Sequence, residues 1–218
     1  MSNAIRTVLH APTYASENAD ALRQDWPRVP LPDSAELLAS SGVLGEQLAA
    51  LLNPETDVPG ITSGRIRAEL KTIAVIRKID NTQLAGADFG VNARWGTPGK
   101  GGICMPGPGK QRERDYTTAE LTALEEHLPF LGERTIDIFW NDTCFWANVP
   151  TAVWEYSLGG YQVVKKWLSY REEKLLGRVL RLDEVEYVTA MVRRIAAILM
   201  LSGKLNANYM AVKAESSR

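Results

Sequence analysis

Apolar residues occupy every second position between Thr135 and Trp140, which suits a strand. Ile136, Ile138 and Trp140 fall on one face, and Asp137 and Phe139 fall on the other. The residues that follow, Asn141 and Asp142, are typical of a tight turn. The largely apolar run at 144–149 can then return beside the first strand. The pattern predicts a β-hairpin formed by residues 135–140 and 144–149.

Helical spacing of apolar residues predicts helices in the N-terminal part of the chain. Residues 5–24 are predicted to be helical, with a break at Pro12. The prolines within 26–32 push their predecessors away from helix, so this segment is the best candidate for a linker. Asp33 is predicted to cap a helix that runs to residue 52.

The C-terminal part of the chain also has the spacing of a long helix. Asp183 is its predicted N-cap, with Glu186 in the capping-box position, and Gly203 suits its end. We expect the tail after Asn206 to be loosely ordered.

The middle of the chain carries mixed signals. β-Branched residues at 66–79 predict one or two strands. The segment that we call the glycine-rich segment, residues 94–114, holds six glycines and three prolines, so we expect no regular structure in it. Short helices are predicted to begin at Thr117 or Thr118 and at Thr151, the second ending at Gly159-Gly160. These elements together predict an α+β fold, a central antiparallel sheet with long loops flanked by N-terminal and C-terminal helices.

Length and composition place few limits on function. The chain of 218 residues suffices for one domain or two small ones, and its apolar fraction of 45% is ordinary for a globular protein. No stretch predicts a membrane span or a secretory signal. Cys104 and Cys144 lie far apart, which favours a reducing compartment over a disulfide framework. We therefore expect a cytoplasmic protein with no membrane partner.

The charge is unevenly distributed along the chain, although its net value is only −1. Residues 1–60 carry three arginines and eight acidic groups, whereas the rest carries 22 basic and 18 acidic groups. An acidic end and a basic body would suit a recognition domain docked through its N-terminal part, but random scatter of charge explains the numbers equally well.

Motifs for catalysis are missing from the sequence. A methyltransferase that acts on an exocyclic amine needs a motif of the Asn-Pro-Pro-Tyr kind to hold the flipped base, and the chain has no Pro-Pro pair. Gly109-Lys110 does not complete a P-loop, because Cys104 and Gln111 stand where Gly and Ser or Thr are required. The histidines and cysteines share no metal-ligand spacing. We therefore expect neither a catalytic residue nor a metal or cofactor site.

Basic side chains and flexible backbone coincide in the glycine-rich segment, where Glu113 is the single acid. Glycines let backbone N–H groups approach phosphates, cations displace the counterions of DNA, and arginine reads guanine. The DNA-binding residues predicted here are Arg94, Trp95, Lys100, Lys110, Arg112 and Arg114. The alternative is a solvated loop whose charges serve only solubility.

A second basic group lies at the C-terminal end of an aromatic run at 140–171. Its predicted DNA-binding residues are Lys165, Lys166, Tyr170 and Arg171, on one face of a helix whose Trp167 packs inward. An amphipathic helix with an ordinary solvated basic face fits this pattern equally well. Arg77-Lys78 and Asn141-Asp142, at predicted strand ends, are weaker candidates.

Four segments resemble a known family when they are taken in order. They are HAPTYASENADALRQDWPRVPLP (10–32), GKGGICMPGPGKQRERDYT (99–117), LGERTIDIFWND (131–142) and NVPTAVWEYSLGGYQVVKKWLSYRE (148–172). Together they resemble the C-terminal specificity domain of Type ISP restriction–modification enzymes. Enzymes of that type join nuclease, translocase, N6-adenine methyltransferase and target-recognition parts in one polypeptide.

The resemblance implies a division of the chain and a role for it. Residues 1–32 would correspond to the end of a methyltransferase region and 33–218 to the target-recognition domain. The domain would bind double-stranded DNA without catalysis, and S-adenosylmethionine would bind the separate methyltransferase module, its partner. The chain lacks every catalytic module, so an excised domain, a truncated product and a stand-alone subunit are all compatible with it.

Two other classes of function remain open. A protein–protein docking module would use the aromatic segment against its partner without touching DNA. An enzyme with an unrecognised site would show a deep pocket lined by convergent polar groups.

Overall fold

A computed structural model describes residues 2–216 of the chain. Its contacts form two compact units, one made of the residues up to Val58 together with those from Ala197 onward, the other of Pro59–Ala196. The predicted division between residues 32 and 33 rests on resemblance, not on compactness, and it stays a prediction.

The elements are numbered in chain order. The helices are α1 Ser2–Leu9, α2 Pro12–Glu17, α3 Ala19–Gln24, α4 Ala35–Leu52, α5 Ala68–Lys71, α6 Thr118–Leu124, α7 Leu128–Leu131, α8 Thr151–Glu155, α9 Val163–Ser169, α10 Glu173–Leu176, α11 Leu182–Met200 and α12 Ser202–Ser216. The strands are β1 Val75–Lys78, β2 Gly96–Pro98, β3 Cys104–Pro106, β4 Lys110–Arg114, β5 Thr135–Phe139, β6 Cys144–Pro150, β7 Ser157–Leu158 and β8 Tyr161–Gln162. Helices and an antiparallel sheet in one chain confirm the α+β prediction.

The first unit is built from helices α1 to α4 and α12. Gly45 lets α1 approach α4 closely, because a Cβ on it would lie 1.9 Å from the carbonyl oxygen of Asn3. The rings of Tyr14 and Tyr209 meet edge to face with centroids 5.4 Å apart. The predicted break at Pro12 is confirmed, since α2 begins at this residue.

Two of the predicted helix caps are wrong by one or two residues. Ser34, not Asp33, caps α4, and its hydroxyl accepts the N–H of Leu37 at 3.3 Å. Asp183 lies inside α11, and Glu184 accepts the N–H of Arg181 in front of the helix at 2.9 Å.

The expected loose tail after Asn206 is also wrong. Helix α12 continues to Ser216, because Leu205, Tyr209 and Val212 recur at helical spacing and are buried.

The four-stranded sheet of the second unit has the order β1-β6-β5-β4, and all its pairs are antiparallel. The predicted hairpin is confirmed as β5 and β6, which are buried along their whole length. On one face, the indole of Trp146 donates to the Thr189 hydroxyl of α11 at 3.3 Å. The pairing of β5 with β6 shifts between Ile136 and Ile138, which marks a β-bulge.

The prediction of irregular structure in the glycine-rich segment is wrong. Strands β2 and β3 pair as a hairpin, and β4 forms an edge of the sheet. The glycines serve close packing here: a Cβ on Gly96 would lie 2.0 Å from the Ser169 carbonyl oxygen, and one on Gly109 would lie 2.1 Å from the Trp95 ring.

Two further local predictions need correction. The 66–79 segment contains one strand, β1, preceded by the short helix α5. Gly159 and Gly160 do not end a helix but form the turn between β7 and β8, both with positive φ.

Candidate nucleic-acid interface

Basic and aromatic side chains share one face of the four-stranded sheet. Lys110, Arg112 and Arg114 alternate along β4 and therefore point to the same side. In the register, Lys110 lies opposite Phe139, Phe139 opposite Phe145, and Phe145 opposite Arg77. A row of two stacked phenylalanines, with ring centroids 5.1 Å apart, thus ends in a cation on each side.

A cavity of about 420 Å³ opens beside this row. Its ionisable lining consists of Lys71, Arg77, Arg112, Arg114, Glu120 and Asp137. Four basic groups face two carboxylates, so the cavity carries a surplus of two positive charges. We call this surface, with Lys110, the basic sheet face.

The carboxylate of Asp137 lies at the centre of the basic sheet face, and its side chain is only 2% exposed. The bulge lies in β6, where Ala147 and Asn148 face the single residue Asp137 of β5, and Asn148 has a φ of 60°. The backbone N–H of Asn148 donates to Asp137 at 3.2 Å. Together with Arg112 and Arg114, this N–H satisfies a buried charge that would otherwise be costly.

Arg114 is held by hydrogen bonds within the protein. Its Nε donates to Asp137 at 3.1 Å, its terminal nitrogens donate to Glu120 at 2.8 and 2.9 Å, and Nη1 also donates to the Asp115 carbonyl at 3.0 Å. Hydrogen bonding to Glu120 and Asp137 raises its pKa against the opposing effect of burial. The DNA-binding role of Arg114 stays a prediction, and most of its donors are engaged within the protein.

Arg112 differs from Arg114 although it lies two residues away. Its Nη2 donates to Asp137 at 2.7 Å, and its side chain is 61% exposed. The guanidinium carbon lies 5.9 Å from the centroid of the Phe139 ring.

Lys110 and Arg94 lie near the turn between β5 and β6. Lys110 pairs with Asp142 at 2.8 Å, and this aspartate is 93% exposed. The hydrogen bond and charge of Lys110, with a smaller contribution from the charge of Arg94, lower the pKa of Asp142. Arg94 is itself exposed, with a φ of 65°.

Trp95 is fully buried and does not reach the surface where DNA would bind. Its indole donates to the Phe139 carbonyl at 2.7 Å, and its ring meets Trp154 edge to face with centroids 5.3 Å apart. The residue packs under the sheet, because aromatic area is favoured inside when its polar atom finds a partner. Lys100 is exposed near the tip of the β2–β3 hairpin.

The second predicted group forms a separate patch on α9 and the β7–β8 hairpin. The Lys166 ammonium lies 3.6 Å from the centroid of the Tyr161 ring and 5.7 Å from that of Tyr170. The Arg171 guanidinium carbon lies 4.9 Å from the Trp167 ring centroid, and Trp167 is partly exposed, so its predicted inward packing is only partial. Lys165 is half-buried on the same helix.

The structure thus gathers the predicted residues other than Trp95 and Lys100 into two groups. Lys110, Arg112 and Arg114 belong to the basic sheet face, with Arg94 at its end, whereas the residues of α9 adjoin the β2–β3 hairpin, where the Cys104 thiol lies 3.1 Å from the Ser169 carbonyl. Sequence reasoning missed Lys71 and the central Asp137. Asp137 could have been found from the sequence, because it is the one acid inside a predicted strand of mostly apolar residues.

No cluster of three or more potential metal ligands occurs among residues 2–216. Cys144 is buried, as predicted, and burial raises the pKa of its thiol to about 11. In the same described range, no helix is both long and apolar enough to cross a membrane.

These features describe a small α+β domain with a positively charged surface backed by aromatic rings. The model of one protein family, the Type ISP C-terminal specificity domain, matches residues 5–186. The chain belongs to this family, whose role is target recognition in a Type ISP restriction–modification system. No curated protein and no solved structure matches the chain.

Proposed function

We propose that this chain recognises a DNA target through the basic sheet face and performs no catalysis by itself. The methyltransferase module of the same system, which would bind S-adenosylmethionine, is its partner in this proposal. The observation that carries the proposal is the surplus of positive charge around the cavity of the basic sheet face. A duplex presents two rows of phosphates, and cations that neutralise them release condensed counterions.

Lys110 is suited to phosphate contact because its present partner is easily replaced. The carboxylate of Asp142 is almost fully exposed, so the ion pair between the two side chains is well screened by water and salt. Exchange of this carboxylate for a phosphate costs little desolvation. The exposed Arg77, at the opposite end of the phenylalanine row, can contact a phosphate on the other side.

The experiment that tests the proposal is DNA binding as a function of salt. Fluorescence anisotropy of a labelled random-sequence duplex gives the slope of log K against log salt for the wild type, Lys110→Ala and Arg77→Ala. Each variant should bind more weakly and lose roughly 0.9 from the slope, which corresponds to one phosphate contact.

Arg134→Ala is the matched control. Arg134 pairs with Glu113 and Asp115. Glu113 is next to Arg112 along β4, so the side chain of Glu113 and its partner Arg134 lie on the other face of the sheet. This variant should keep the slope of the wild type. Binding that is absent at low salt, or equal slopes in all four proteins, would refute the proposal.

A second candidate function is docking on the methyltransferase module, and the patch on α9 favours it. Leu158, Tyr161 and Tyr170 are exposed large hydrophobic residues beside Lys166, and tyrosine is among the residues that are enriched at protein interfaces. Titration of the isolated methyltransferase module with the wild type and with Tyr161→Ala/Tyr170→Ala would separate the two surfaces. Docking predicts weaker association of this variant with the module and unchanged binding of DNA.

A further inference from the structure

We propose that Arg112 reads a guanine in the target, and that the buried Asp137 is the positioning residue that aims it. The inference rests on the proposed function of the basic sheet face. It assigns one specificity-determining side chain and the base that it recognises.

The first argument is the number of unused donors. A guanidinium has five N–H groups. Arg114 engages four of them with Asp137, Glu120 and Asp115, whereas Arg112 engages one, with Asp137. Arg114 is also the less exposed of the two, at 23% against 61%. Arg112 therefore has both the donors and the access that reading a base requires, and Arg114 has neither.

The second argument is orientation. Asp137 is itself fixed by the N–H of Asn148 and by the Nε of Arg114, so its carboxylate forms a rigid support. The contact of Arg112 with the Phe139 ring limits the tilt of the guanidinium. A long side chain held in this way loses less conformational entropy on binding than a freely rotating one.

The third argument is the match between donors and base edges. In the major groove, guanine offers two adjacent acceptors, O6 and N7, to a pair of N–H donors. Adenine offers one acceptor and one donor, so the same guanidinium would face an N–H group that repels it. Lys110 carries a compact ammonium whose donors are not held in the fixed planar fork of a guanidinium, so it suits phosphate better.

The test begins with selection of binding duplexes from a randomised library by the wild-type chain. Affinities are then measured for the selected duplex and for copies in which single guanines are replaced by adenine. We expect one guanine at which the wild type discriminates roughly ten-fold or more, as one bidentate contact provides. In Arg112→Ala this ratio should fall close to one, while Lys110→Ala should weaken both duplexes equally.

The variant Arg112→Lys keeps the positive charge at position 112 but removes the planar guanidinium. It should restore more of the affinity lost in Arg112→Ala than of the preference for guanine, because the donors of an ammonium are not held in a fixed fork. Asp137→Asn, checked for folding by its thermal transition, should lower the discrimination ratio more than the affinity. A duplex with 7-deazaguanine at the same position should weaken binding of the wild type but not of Arg112→Ala.

The possible failures are distinguishable. A wild-type chain that selects a sequence, together with Arg112 variants that keep every guanine preference, overturns this inference and leaves the proposed function intact. A wild-type chain that enriches no sequence and binds no duplex overturns both.

Discussion

The carboxylate of Glu172, just after α9, accepts the backbone N–H of Trp95 at 2.8 Å. The same carboxylate accepts the N–H groups of Arg94 and Gly96 at 3.1 and 3.3 Å, and its side chain is buried. Three consecutive N–H groups that converge on one anion fix the start of the β2–β3 hairpin. Since Trp95 also contacts the carbonyl of Phe139, this anchor reaches the strand that backs the basic sheet face.

Replacement of this carboxylate should therefore destabilise the protein. Glu172→Gln keeps the shape but presents one acceptor and an NH₂ group to three donors, so we expect the free energy of unfolding to fall by about 1–3 kcal/mol. Urea denaturation followed by tryptophan fluorescence measures the change. Glu173→Gln is the control, because this neighbour is less buried and its contact with Asn92 is long, at 3.4 Å. Equal losses in both variants would show that Glu172 is not the anchor.

The two arginines of β4 should contribute differently to stability. Arg114 should contribute far more to the free energy of unfolding than Arg112. Arg114→Ala leaves Glu120 without its main partner in a partly buried site, and we expect a loss of roughly 2–4 kcal/mol of unfolding free energy. Arg112→Ala should cost less than about 1 kcal/mol, because Arg114 still satisfies Asp137 and the lost side chain is mostly exposed. The midpoints of urea unfolding give both values. The reverse order would contradict the assignment of roles.

Gly109 should tolerate no side chain. Its φ is 67°, and a Cβ would lie 2.1 Å from the buried ring of Trp95. Gly109→Ala should cost about 2 kcal/mol or more, from backbone strain and steric overlap together. Gly101→Ala is the matched control, since Gly101 has a φ of 70° but no atom within 4 Å of the added Cβ. Thermal unfolding of the control should show only the strain, about 1 kcal/mol.

The pH dependence of stability should include a contribution from Glu120. Burial raises the pKa of this carboxyl, but hydrogen bonds from Arg114 and the N–H of Thr117 outweigh that effect and hold the pKa below its ordinary 4.5. The folded state thus favours the carboxylate, and the resulting stability is complete above pH 4.5 and is lost as the pH falls towards the pKa of the folded state.

Glu120→Gln removes this dependence. The variant should be less stable than the wild type near neutral pH, and the difference should shrink as the pH is lowered through the acid range. Urea midpoints measured for both proteins over that range check the sign. A difference that stays constant, or grows in acid, would contradict the pKa direction.

Part of the fold follows from the sequence because local signals and tertiary packing agree there. The β5–β6 segment combines apolar residues at every second position with a turn signal, and the hairpin that they predict is present in the structure. The glycine-rich segment could not be predicted in the same way. Glycine is used both where backbone is irregular and where two chain segments approach closely, and Gly96 and Gly109 are of the second kind.

The candidate site, too, could be predicted from the sequence only in part. Sequence placed Arg112 and Arg114 in a basic group, but their different roles depend on Asp137, which lies opposite Arg112 only through the register of β4 and β5. The sequence predicts Trp95 as a DNA-binding residue of the glycine-rich segment, beside Arg94. An aromatic residue beside a cation is compatible with a surface or a buried location, and the hydrogen bond to Phe139 that decides it joins distant parts of the chain.

The contrast between Arg112 and Arg114 has a consequence for engineering new specificities. The proposed roles assign folding to position 114 and base reading to position 112, although both lie on one short strand. A combinatorial library at position 112 should therefore yield folded proteins with altered target preferences. The same library at position 114 should yield mostly aggregated or degraded chains.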